Sequence, residues 1–295
     1  MALTLTEAAK LSNDVVLQGV IETVVKDSPL LQRMPFIDIS GNAITYNREN
    51  AQPTAAFFQV GDTWTESTPT FTQITTSLTI LGGDADVDRY VATTRNNVQD
   101  IEAAVLELKA KAVRYKFEET FIAGDTAVDS KSFDGIRKTV SAGQTIDPGG
   151  NGTQLTLALL DQVIDTVRPG RPDLLLMSRR SRRTLNQLVR ASGAFMETRQ
   201  DEFGAFQEFY AGVPIGVCDF QPDNETQGAS NNASSVYALQ FGEGRIAGLQ
   251  GAGGLQIEHV GTLETKDASR WRVKWYCNVA VFADLALARL KGIIP

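Results

Sequence analysis

The chain has 295 residues, a formal net charge of -7, 42% hydrophobic and 21% charged residues. That balance belongs to a folded polypeptide able to bury one large core or two lobes, and excludes a disordered chain. The acidic total argues against a nonspecific grip on nucleic acid, and no apolar run approaches the roughly 20 residues that span a bilayer.

The start, "MALTLTEAAKLSNDVV", lacks a basic segment followed by an apolar one, so the expectation is a product of a cytosol without a signal peptide. Leu11, Val15, Val16, Ile21, Val24 and Val25 mark an amphipathic helix that Pro29 ends. With no second element beside it, that helix must dock elsewhere, such as on another subunit. From Phe36 to Thr94 the texture is threonine-rich and alternating: "AITYNRE", "AAFFQV" and "TFTQITTSLTIL" read as strands around the turn-rich "GDTWTESTPT". With few large aliphatics, this stretch predicts a long β-hairpin reaching out to a neighbour; an ordinary edge hairpin is the alternative.

A long helix follows, with Asn97 as N-cap, Asp100 in the first turn and an apolar stripe of Val98, Ile101, Val105, Leu108, Ala112 and Tyr115. Glu107 and Lys111 are four apart in the favourable order, and Gly124 marks the exit after roughly 40 Å. "DPGGNG" is a loop. The helix "TLALLDQVIDTV", the buried strand "PDLLLMS", the helix "RRSRRTLNQLVRAS" and the strands "GVPIGVCDF" and "SSVYALQFGEG" then predict an α/β lobe over about 153–254. The tail reads as strands, "LQIEHVGTLE" and "RWRVKWYCNVAVFA", and a short helical end, "LALARL".

Chemistry is sparse. "GAGGL" from Gly251 matches neither a dinucleotide fingerprint nor a phosphate loop and reads as a turn between lobes. "GGDADVDRY" from Gly82 has acidic spacing but lacks the closing glutamate of a calcium loop. Cys218 and Cys277 read as buried free thiols, and His259 is the one histidine. The expectation is therefore no catalytic, cofactor or metal residue.

The exception in texture is "SRRSRR", Ser178 to Arg183. With Ser178 as cap, Arg179, Arg182, Arg183 and Arg190 share one broad helix face, while Ser181, Leu185, Leu188 and Ser192 lie on another beside Val189. Cations at a helix N-terminus oppose its dipole. Carboxylates from a neighbouring lobe or subunit are the expected offset, with Asp201 and Glu202 preferred and Glu197 and Glu208 as further candidates. A solvated face is the alternative.

The order of parts resembles the major capsid proteins of tailed bacteriophages, a fold shared with encapsulins and herpesvirus capsid floor domains. The resemblance rests on an N-terminal arm, the threonine-rich β-extension, and a spine helix closing on "FIAGDTAVDSKSFDGI" with its Phe133-Asp134-Gly135-Ile136 step. The late "RWRVKWYCNVAVFADLALARL" is also typical. It implies an α+β fold divided into an N-arm (1–35), an extended loop or E-loop (36–94), a P-domain with the spine helix (95–150), an A-domain (151–254) and P-domain return strands (255–295). It further implies a non-enzymatic structural protein forming hexamers and pentamers of an icosahedral shell around double-stranded DNA. Arg179, Arg182, Arg183, Asp201 and Glu202, with Phe57, Phe58, Trp64 and Phe71 of the extension, are then the expected subunit interface. The implied partners are further copies of the chain, a separate scaffolding protein, a portal, decoration proteins and packaged DNA without sequence-specific contacts. No membrane and no cofactor are implied, and the location is the virion, assembled in host cytoplasm.

Some relatives weld subunits through a lysine–asparagine isopeptide bond using an E-loop lysine. Here no lysine occurs between Lys26 and Lys109, so the resemblance implies a noncovalent shell. An encapsulin-type compartment is the alternative function, disfavoured by its usual shorter extension and different N-terminal helix pattern. An α/β enzyme of unknown reaction stands third.

Overall fold

The computed structural model describes residues 28–95, 101–200 and 206–295. In chain order the elements are α1 (Leu30–Arg33), β1 (Phe36–Ile39), β2 (Ala43–Ala51), β3 (Thr70–Ser77), β4 (Thr79–Asp88), α2 (Arg89–Arg95), α3 (Ile101–Ala123) and α4 (Ile136–Thr139). Then come β5 (Thr145–Ile146), β6 (Thr153–Gln154), α5 (Leu157–Thr166), β7 (Leu174–Met177), α6 (Arg179–Ala191), β8 (Glu197–Gln200), β9 (Phe206–Tyr210) and β10 (Val213–Val217). β11 (Glu225–Gln227), β12 (Ser230–Leu239), β13 (Ile246–Thr262), β14 (Ala268–Val281) and β15 (Leu287–Ile294) complete the chain. The expected N-terminal helix, the Asn97 cap and Asp100 lie outside the described residues.

Two larger sheets carry the body. The first has four strands in the order β1-β13-β14-β4, with β1 parallel to β13 and the other pairs antiparallel. Its pleat explains "GGDADVDRY". Ala85 and Val87 are buried, while Asp84 and Asp86 alternate with them on the opposite face. The acidic spacing that resembles a calcium loop is thus the period-2 signature of a strand.

The second sheet has nine strands, with a path β5-β15-β12-β7-β10-β9-β8 and with β11 and β6 attached to β12 and β15. "LLLM" is apolar at every position because β7 is covered on both sides. Leu174 and Leu176 pack with Phe117, Phe121 and Tyr237, whereas Leu175 and Met177 pack with Leu160, Val163 and Leu185. The spine helix α3 therefore contributes to one core, and α5 and α6 to the other.

α3 is 23 residues long in its described part, about 35 Å. Its buried stripe is Ala104, Val113, Phe117 and Phe121, whereas Leu108 is 42% exposed and Ala112 faces solvent. The expected stripe is thus rotated, because the two phenylalanines set which face the sheet covers. Glu107 and Lys111 pair as expected, at 3.0 Å. The segment after the helix folds straight back: the Gly135 N–H donates to the Gly124 carbonyl at 2.9 Å. A Cβ on Gly124 would meet the Phe133 carbonyl oxygen at 2.4 Å, and one on Gly135 the Thr120 carbonyl oxygen at 2.6 Å. Those two glycines let Phe133 turn into the core, where its ring lies 5.5 Å from that of Phe117.

Two expectations change. "LALARL" is not a helical end: a 3-10 turn over Asp284–Ala286 leads into strand β15. The slot between β12 and β5 buries Leu287, Ala288 and Leu290, which overrides the helix propensity of leucine and alanine. "GAGGL" is not a turn between lobes but an irregularity inside β13, where the register with β14 shifts between Gln250 and Leu255. Gly253 and Gly254 take positive φ there, at 100° and 57°.

Candidate assembly surfaces

α6 leaves the end of β7 with Ser178 as its cap: Ser178 Oγ accepts the Ser181 N–H at 3.2 Å. Three of its four leading arginines find partners in their own chain. Arg179 grips Asp219 through two parallel hydrogen bonds, Nη2 to Oδ2 being 2.8 Å. Arg180 lies 3.5 Å from Asp223 and donates to the Asn232 carbonyl at 2.7 Å, and Arg182 lies 3.6 Å from Glu208 on β9. β10 runs parallel to β7, so the residues that follow it, including Asp219 and Asp223, emerge beside the helix that follows β7. These carboxylates sit at the positive end of the helix dipole and offset the arginines placed there.

Arg179 and Arg182 thus have acids within their own chain, Glu208 being one of the expected candidates, while Asp201 and Glu202 lie outside the described residues. Asp219 was missed because it lies 40 residues away in sequence; only the parallel pairing of β7 and β10 brings it near. Arg183 and Arg190 are exposed and make no ion pair among the described residues.

The second surface is the ribbon β2–β3, paired from Ala43↔Ser77 to Ala51↔Thr70. Its stem is fixed to the body. Tyr46 donates to the Val281 carbonyl at 3.0 Å and packs its ring 4.7 Å from Phe282, and Arg48 pairs with Asp284 at 2.6 Å. Beyond the stem, residues 52–69 are almost all exposed. Phe58 stacks on Trp64 at 4.2 Å, but Trp64 remains 77% and Phe71 64% exposed, with Phe57 and Val60 fully open. Four of the residues expected at an interface thus lie on one projecting ribbon and its tip.

The third surface is the face of the four-stranded sheet turned away from its buried side. Arg270 forms a two-bond pair with Asp86 (2.6 and 2.8 Å) and Arg272 one with Asp84 (2.7 and 3.0 Å), while Lys274 meets Glu258 at 2.6 Å. The hydrogen bond from Arg272 holds the Asp84 carboxyl below the usual range, and that from Arg270 does the same for Asp86. The two arginine pairs are cross-strand partners in register, whereas Lys274 reaches Glu258 diagonally, its own partner on β13 being Gln256.

The reactive side chains are engaged structurally. Burial raises the Cys218 thiol and pushes that of Cys277 up to about 12, well away from a nucleophilic thiolate. His259 packs 4.7 Å from Trp271 and shares a 2.7 Å hydrogen bond with Ser269. Among the described residues no group of three or more His, Cys, Asp or Glu is placed to hold a metal ion.

The body is held by its packed cores and carries an anchored ribbon whose aromatic tip is exposed. The profile of the phage capsid family matches residues 11–292, and the chain belongs to that family. No curated protein matches it by sequence. Among solved structures it is similar to the holo-SrpI encapsulin complex from Synechococcus elongatus PCC 7942, at 20% identity and a TM-score of 0.74 over 99% of this chain and 96% of that one. It is also similar to the capsid of a native GTA particle, with 14% identity, a TM-score of 0.69 and coverage of 99% and 100%. Microbacterium phage Oxtober96 gives 16% identity, a TM-score of 0.65 and coverage of 97% and 98%. The fold is the mixed α+β capsid fold that the sequence resemblance implies, and the chain is a shell-forming capsid protein.

Proposed function

We propose that the chain is the major capsid protein of a tailed phage or phage-derived particle. It assembles as hexamers and pentamers into a noncovalent icosahedral shell that encloses double-stranded DNA. The observation that carries this reading is the ribbon: its stem is tied to its own body, while Phe57 and Trp64 of the tip and Phe71 of β3 stay in water. An isolated subunit gains nothing from that exposure, while a neighbour that covers the tip recovers about 25 cal/mol per Å² of apolar area. The absence of lysine between Lys26 and Lys109 supports a shell without ribbon-borne isopeptide links. The acidic total suits a container that holds DNA without adhering to it.

The similarity to an encapsulin favours a second reading, a compartment for protein cargo. Coverage of 99% and 96% removes extension length as a ground for setting it aside. Particle contents separate the two. Purification of particles from cells carrying the full locus is expected to give shells rich in nuclease-protected duplex DNA, and their subunits should run as single chains after boiling in detergent. Shells filled with protein and free of DNA establish the compartment reading. A ladder of covalent multimers rejects the noncovalent claim.

A further inference from the structure

The four-stranded sheet ends on one side at β13, and β1 covers only part of that edge: their pairing runs from Phe36↔Gly248 to Ile39↔Gly251. Past the irregularity at Gly253 and Gly254, residues 255–262 of β13 have β14 as their one strand partner among the described residues. The Gly248 N–H donates to the Pro35 carbonyl, on the β1 side. Gly248 and Val279 are therefore a non-hydrogen-bonded pair, and alternation along β14 assigns its bonds with β13 to Lys274 and Arg272, through Gln256 and Glu258. The N–H and carbonyl groups of Leu255, Ile257 and His259 then point out from the edge of the sheet. The side chains add a second signal. Leu255 and Ile257 lie on the face where their β14 partners Trp275 and Val273 are buried, yet they are 45% and 49% exposed. The stretch contains neither proline nor lysine, two residues that blunt an open edge. Free backbone groups beside an uncovered apolar face are a template for an added strand.

The ribbon carries a segment of matching character. Residues 55–60, "AAFFQV", have no strand partner among the described residues, and all but Phe58 are exposed. Segment and edge lie at opposite ends of one sheet. β3 continues through Leu78 into β4, whose pairing with β14 starts at Thr79↔Cys277 and ends at Asp88↔Ala268. The open edge lies beside the stretch of β14 from Ser269 to Trp275, whereas the ribbon stem is tied to Val281, Phe282 and Asp284. Val281 is already about 20 Å along β14 from Trp275 at roughly 3.4 Å per residue, and the ribbon runs on in that direction. A contact between tip and open edge therefore joins two copies, head to tail. The other edge of the sheet, β4, presents Asp84, Asp86 and Asp88 at alternate positions. That row is a poor match for a tip whose charged residues are Asp62 and Glu66.

We propose that residues 55–60 of the ribbon add as a strand to the open edge of β13, residues 255–262, in a second copy of this chain, with Phe57 beside Leu255 and Ile257. Two different patches then meet head to tail, the arrangement that closes into rings when the rotation permits. This rests on the shell-forming reading and names the surface that covers the ribbon tip.

The test uses the full chain, expressed with its assembly partners where it makes no particles alone. Cys218 and Cys277 are buried, so introduced cysteines report on the surface. Ala55→Cys and Gln59→Cys, which flank Phe57 on its face of the strand, are each combined with Ile257→Cys. Mild oxidation of purified particles is expected to give disulfide-linked multimers in at least one combination, at least about tenfold above the single-cysteine variants. The pair Gln59→Cys/Ile80→Cys, aimed at β4, is expected to give none. Ile257→Pro removes an N–H that faces the open edge and is expected to lower particle yield by at least about tenfold, while Ile257→Thr stays within about threefold of the parent. Where Ile257→Pro lowers the melting temperature of the subunit by more than a few degrees, the cross-linking arm decides. Particles that form normally but give no multimers in either combination overturn the edge contact and leave the shell reading standing. So does a parental yield of particles from Ile257→Pro. Multimers from the β4 pair instead, or a disulfide closed within one chain, also overturn it. A parent that forms no particle under any condition removes the shell reading and this contact with it.

Discussion

The β7 run Leu174–Met177 and the ribbon tip around Trp64 are both apolar, and the chain treats them in opposite ways. Each residue of β7 is fully buried, divided between two cores by the pleat. Around Trp64 the aromatic side chains meet mainly each other and water. The first arrangement stabilises a subunit, and the second is the part that a neighbour covers in the proposed shell. Stability and assembly should therefore separate cleanly by mutation, and the separation is where the account is most exposed to failure.

The largest effect belongs to the tip. Replacing residues 52–69 by a two-residue Asn-Gly turn is expected to reduce shell yield by about a hundredfold or more, the loss of several buried aromatics at a contact. The melting temperature of the subunit should stay within a few degrees. Excision of the whole stretch 36–94 is a poor substitute. β1 and β4 are integral to the four-stranded sheet, and Ala85 and Val87 are buried, so that deletion breaks the body. A tip-deleted chain that still makes shells collapses the comparison.

On the other side, Phe121→Ala removes a fully buried ring of the spine helix from the core shared with Leu174 and Leu176. The expected cost is about 3–5 kcal/mol in chemical denaturation. Particles that do form should keep the parent's morphology.

Arg179→Ala is a smaller effect. The Arg179 side chain is 63% exposed although its two-bond pairing with Asp219 is well formed. Under about 1 kcal/mol of stability is expected from urea melts. A larger loss of assembly than of stability places Arg179 at a subunit contact in addition to its pair with Asp219.

The smallest effect is on pH. Asp84 and Asp86 have carboxyls held below the usual range by Arg272 and Arg270. A lowered folded-state pKa contributes stability that is fully present above the unfolded value, about 3.9, and lost as pH falls through the folded value. Stability is therefore expected to be flat from neutral pH to about 5 on account of this pair, and to decline below about 4. Asp84→Asn/Asp86→Asn should make that acid limb shallower in a series of thermal melts. An unchanged acid limb removes the carboxylates from its cause.

Much of the fold is legible in the sequence because its signals are local. The continuous "LLLM", the Ser178 cap and the Glu107–Lys111 pair each depend on residues close in sequence. What the sequence hides is set by distant partners. "LALARL" becomes β15 because β12 and β5 flank it, and the α3 stripe turns because Phe117 and Phe121 are fully buried, the Phe117 ring lying 4.6 Å from that of Trp275 on β14. Asp219 reaches Arg179 only through parallel strand pairing. The ribbon residues Phe57, Phe58, Trp64 and Phe71 are readable as interface candidates because aromatics without nearby aliphatics cannot form a core of their own.

Hydroxyl-radical footprinting with residue-level mass spectrometry, on dissociated subunits and on assembled particles, addresses the central claim most directly. The account predicts that Phe57, Trp64 and Phe71, open in the subunit, become protected by about tenfold or more on assembly, while the buried Trp275 changes little. Equal oxidation of Phe57, Trp64 and Phe71 in the two states would contradict it.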